Sequence, residues 1–156
     1  MKGSLSHELD LEATAEVAWG IYGTLKLTEV VLKQLSSMIS KIEVDGDGGV
    51  GTVFCATFGS DNKVFKEKVV TLDNEKRIKE LSVTQGALLD LGFTSELIRL
   101  EILDKDESYC TVKTTIEYEI EDEHEAKASL VDVAILAMMA EAVAEHLREE
   151  KANYSV

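Results

Sequence analysis

Glu67 and Lys79 stand where charged side chains are hardest to keep. In the strand-like run from Val64 to Leu72, Phe65, Val69 and Thr71 alternate onto one face while Lys66 and Lys68 take the other, so Glu67 is carried to the apolar side. In the next run, Lys79 shares a face with Leu81 and Val83, and Glu80, Ser82 and Thr84 point away. A carboxylate and an ammonium on the apolar side of a sheet are unfavourable unless paired or hydrated. Two readings follow. In one, the pair is a buried ion pair, or the lysine stretches to the rim. In the other, it is an acid/base pair in a ligand cavity, with a desolvated lysine able to lose its proton or engage a carbonyl.

Other residues would furnish such a cavity. Ile98, Leu100 and Ile102 set the inner face of a long strand, and Glu96 joins that face nearer its start, at an expected cavity mouth. Cys110, Val112, Thr114, Ile116 and Tyr118 share a face and offer an apolar wall with polar handles. Met138 and Met139 have the adaptable thioethers that suit an irregular ligand, although a plain core role fits them as well. The Gly46–Thr52 loop lacks a lysine after its glycines and leads into a strand, which points to a tight turn rather than a phosphate loop. The acidic run around His124 fits no standard metal-ligand spacing, and no metal or cofactor is expected. Cys55 and Cys110 lack paired spacing and read as two buried thiols.

The elements that must position these residues are legible in order. Ser4 to Leu11 alternates as a first strand, Thr14 can cap a short helix holding Trp19, and a second helix places Leu27, Val30, Val31 and Leu35 on one stripe. Six period-two segments follow: 39–44, 50–58, 64–72, 77–84, 88–103 and 109–120, with turn residues between them. Residues 123–151 read as one long helix with two apolar stripes. Val131, Ile135, Met138 and Ala142 form one, and Val133, Leu136, Ala140, Val143 and Leu147 the other.

The 156 residues suit a single domain spanning 1–156, of class α+β. With 30 acidic against 16 basic residues the formal charge is −14, which disfavours nucleic acid, and with it ribonuclease activity. The sequence contains no run long enough for a membrane span and begins without a secretory signal, so the expected location is cytoplasmic. A monomer or weak homodimer is expected, the second stripe of the last helix being available for a partner.

The order of elements and the loop GDGGVGT at 46–52 resemble the Bet v 1-like family of pathogenesis-related class 10 proteins. MKGSLSHELDL at the start, FKEKVVTLDNEKRIKE at 65–80, LLDLGF at 88–93 and VKTTIEYEIEDEHEAKASL at 112–130 are similar to its norcoclaurine and norbelladine synthase branch. The resemblance implies a helix-grip fold, in which a seven-stranded antiparallel sheet wraps a long C-terminal helix around an internal cavity. It also implies a cofactor-independent condensing lyase joining dopamine or tyramine to an aldehyde, with Lys79 and Glu67 catalytic. Phe65, Leu88, Glu96, Ile98, Tyr118, Met138 and Met139 would line the substrate site. The chain departs from the branch where tyrosines give way to Phe65, Leu88 and Glu96, and an aspartate to Ile98. The same family also implies an alternative, a non-catalytic carrier or storage protein for a hydrophobic plant metabolite or hormone.

Overall fold

In the computed structural model, which describes residues 1–154, the chain begins with β1 (Lys2–Leu11). The Thr14 side chain accepts a hydrogen bond from the Val17 N–H (3.2 Å) and starts α1 (Ala15–Tyr22). Gly23 ends that helix by donating to the Trp19 carbonyl (2.8 Å). α2 (Lys26–Gln34) buries Leu27, Val30 and Val31, the i, i+3, i+4 stripe of an amphipathic helix. A meander follows: β2 (Ile39–Asp45), β3 (Val53–Phe58), β4 (Lys63–Asp73), β5 (Ile78–Gln85), β6 (Ser95–Asp104) and β7 (Cys110–Glu119).

These strands form one antiparallel sheet in the order β1-β7-β6-β5-β4-β3-β2. β1 and β2 are adjacent in sequence yet sit at opposite edges of the sheet, so α1 and α2 carry the chain between those edges and close one end of the concave face. α3 (Ala134–Tyr154) packs on α2 and β1 and buries Leu136, Ala140, Val143 and Leu147. This is one of the two stripes read from the sequence. The other is buried at Val131 and Ala142, while Ile135 (46%) and Met138 (40%) remain exposed. Among the described residues, no helix is long and apolar enough to cross a membrane.

Two segments differ from the sequence reading. Residues 123–151 are not one helix: a 3-10 stretch covers Asp122–Leu130, and α3 begins only at Ala134. Asp132 accepts a hydrogen bond from the Ala134 N–H (3.0 Å), giving the backbone an alternative to helical bonding between the β-branched Val131 and Val133. Residues 88–103 are not one strand either. A 3-10 turn spans Ala87–Leu91 between Gly86 (φ 83°) and Gly92 (φ 94°), both in the left-handed region that glycine adopts without strain, and β6 starts at Ser95.

Candidate active site

The concave face encloses a cavity of about 620 Å³. Lys79, on β5, is 2% exposed. Its Nζ donates to the Tyr22 carbonyl at the end of α1 (3.2 Å) and lies 5.5 Å from the centre of the Phe54 ring. Burial drives its pKa below that of an ordinary lysine, and the charge of Glu67 pushes partly back. Lys79 therefore neither stretches to the rim nor bonds directly to Glu67. Among the described residues, its one hydrogen bond goes to a backbone carbonyl.

Glu67 lies on β4 opposite Val83, in a segment where the β4–β5 pairing shifts register between Lys66 and Glu67 and again between Val69 and Thr71. It is half-buried and lines the cavity. Burial pushes its pKa up to about 7, with Lys79 opposing the rise and Glu96 adding to it. Glu96, on β6, is 5% exposed, and its Oε1 accepts from the Leu88 N–H (3.1 Å) at the 3-10 turn. Burial raises this carboxyl too, against the pull of that N–H. One cavity thus holds an amine pressed toward neutrality and two carboxyls that hold protons more tightly than usual, of which Glu67, at about 7, is placed to exchange a proton near neutral pH.

Phe65, Leu88, Ile98 and Met139 also face the cavity. Tyr118 and Met138 stand outside its wall. The Tyr118 ring meets Phe93 edge-on (5.4 Å between centres) and covers Gly3, where a Cβ would come within 2.3 Å of the phenol oxygen. Met138 falls on the exposed side of α3, because helical spacing turns neighbours Met138 and Met139 by about 100°. The sequence reading missed several exposed lining residues: Asp90 and Leu91 on the 3-10 turn, and Leu130, Asp132 and Ile135 before and within α3. The signal was there in Gly86 and Gly92, which bracket a five-residue turn that cannot be strand.

Other motifs resolve simply. In the glycine-rich loop the Gly48 N–H donates to Thr52 Oγ1 and the Gly49 N–H to Asp47 Oδ1 (both 2.9 Å), so these amides serve the turn itself. Cys110 is buried, its thiol pushed up to about 11, but Cys55 is only half-buried. It lies on the strand face opposite the buried Phe54 and Ala56. Ligand atoms of Glu121, Glu123 and His124 lie within 4.8 Å of one another, all three side chains exposed.

Residues 1–150 match the model of the pathogenesis-related protein Bet v 1 family. Among curated proteins, the chain is 45% identical to a norbelladine synthase of Narcissus pseudonarcissus, covering 100% of this chain and 98% of that one. It is 32% identical to an S-norcoclaurine synthase of Thalictrum flavum subsp. glaucum, over 96% and 72% of the two chains. A solved structure of norcoclaurine synthase from Thalictrum flavum, in complex with dopamine and hydroxybenzaldehyde, superposes with a TM-score of 0.85 at 30% identity, covering 96% of this chain and 88% of that one.

Proposed function

The chain belongs to the pathogenesis-related protein Bet v 1 family, and from that membership and the cavity we propose that it condenses a phenethylamine-type amine with an aldehyde, without cofactor, using Lys79 and Glu67. The observation that carries this reading is the coexistence of a desolvated amine and a carboxyl with a pKa of about 7 on the wall of one largely apolar cavity. Similarity along nearly all of this chain to a norbelladine synthase and an S-norcoclaurine synthase supports it.

The proton ledger suits that pair. The neutral amine nitrogen attacks the carbonyl carbon, the C–N bond forms as the C=O π bond breaks, and, net, nitrogen loses one proton and the oxygen gains one. Loss of water from the carbinolamine takes a second proton and leaves an iminium. Loss of a proton from its nitrogen then gives an imine. Attack by the ring carbon instead forms a C–C bond, and the ring then releases a proton. Lys79 serves the carbonyl and carbinolamine transfers, and Glu67 accepts the proton released at the end.

Phe65, Leu88 and Ile98 bring no titratable group to the wall, which favours a second reading, a non-catalytic carrier of an aromatic ligand. The test is a chiral chromatographic assay of dopamine with 4-hydroxyphenylacetaldehyde, run beside borohydride trapping of the imine from tyramine and an aromatic aldehyde. Wild type, Lys79→Ala, Glu67→Gln and a no-protein control are compared. The expected result is enantiomeric excess or accelerated imine formation that is lost in Lys79→Ala. Racemic product and imine at the background rate in both assays would leave the carrier reading.

A further inference from the structure

The cavity contains more negative charge than its acid/base pair requires. Its charged lining residues are Lys63, Glu67, Lys79, Asp90, Glu96 and Asp132, four acids against two bases. Lys79 and Glu67 feel each other's charge. Glu96 has no such counterpart: among the described residues no lysine, arginine or histidine forms an ion pair with it, and its one hydrogen bond comes from the Leu88 N–H to Oε1. A carboxylate 5% exposed and lacking a cation is unfavourable unless a ligand supplies one. Of the lining residues exposed to solvent, Asp90 and Asp132 are acidic and Lys63 is basic, so the exposed part of the lining is net acidic as well.

We propose that Glu96 is the specificity-determining seat for the ammonium end of the amine substrate, oriented by the Leu88 N–H that holds its other oxygen. The inference deepens the reading above and rests on the amine being a phenethylamine. An alkylammonium is charged at neutral pH, as lysine is. It pairs with Glu96. Before nitrogen can attack a carbonyl it must lose one proton, and the same carboxylate receives it, an N–H bond breaking as an O–H bond forms. Position 96 thus selects charge, while the apolar wall accommodates the ring.

The test measures binding without any aldehyde, by titration calorimetry near neutral pH, so catalysis is not required. The probes are tyramine and 4-ethylphenol, which share the ring and differ in the ammonium. Wild type is expected to prefer tyramine roughly tenfold or more, the scale of a charge-assisted hydrogen bond. In Glu96→Gln, whose amide oxygen can still accept from Leu88, the preference should disappear with 4-ethylphenol affinity unchanged, and in Glu67→Gln it should persist. Glu96→Met provides the charge-free comparison should the glutamine variant fail to fold. A wild type indifferent to the ammonium, or a preference that survives loss of the Glu96 charge, overturns the assignment. Failure of the condensation assays with the tyramine preference intact would strike only the catalytic reading, and the converse would strike only this one.

Discussion

Glu67 and Lys79 are displaced from their ordinary pKa values in opposite directions, and each displacement makes stability depend on pH. The folded pKa of Glu67, about 7, lies above its usual 4.5, so the native state binds more protons between those values and the group's contribution to stability falls as pH rises through that window. Glu67→Gln should therefore gain stability relative to wild type between about pH 4.5 and about pH 7 in urea titrations, by on the order of 1 to 2 kcal/mol. A pH-independent difference would contradict the placement of that carboxyl. Lys79 has the opposite sign: its folded pKa lies below 10.5, so its contribution grows as pH rises from the depressed value toward 10.5. Lys79→Met removes an amine that is costly to bury, and the thermal midpoint at neutral pH is expected to rise, by about 1 kcal/mol in stability, while condensation is lost. A lower midpoint would mean that the Tyr22 hydrogen bond outweighs desolvation.

At the scale of elements, Gly86 fixes how the 3-10 turn leaves β5. Its φ of 83° and the 2.4 Å approach of a hypothetical Cβ to the Val64 carbonyl oxygen leave no room for a side chain. Gly86→Ala should cost more than about 1 kcal/mol in chemical denaturation and loosen the Leu88 contact of Glu96, weakening tyramine more than 4-ethylphenol. The same turn marks where sequence reading stopped being sufficient. Period-two alternation identified the strands and put Glu67, Lys79 and Glu96 on the concave face, because a pleated strand leaves a side chain only two directions. It could not find the Ala87–Leu91 turn within a run of leucines, nor the break before α3, since neither depends on hydrophobic period. One rests on the backbone freedom of Gly86 and Gly92, the other on the hydrogen bond that the Asp132 side chain accepts from the Ala134 N–H. Met138 failed for a related reason: the helix was recognised, but not which of its two stripes the sheet would cover. Tyr118 faced inward as expected, yet its ring was taken up by Phe93 and Gly3 rather than by the cavity.

For the molecule as a whole, a charge of −14 and a net acidic set of exposed lining residues should draw cations inward. Stopped-flow association of tyramine is expected to slow several-fold as ionic strength is raised toward about 1 M, with 4-ethylphenol little affected. Equal salt dependence for the two would rule out steering by charge. The hollow interior has a mechanical consequence as well. Void space enclosed by the native fold is lost when the chain opens, and hydrostatic pressure favours whichever state occupies less volume. A fold hollowed by a largely apolar pocket of about 620 Å³, open to solvent on one side, should unfold at lower pressure than a solid one of equal thermal stability to the extent that its apolar depth stays dry. A bound aromatic molecule, by occupying that space, should stiffen the fold against compression, so that the midpoint of pressure unfolding itself reports whether the cavity is filled.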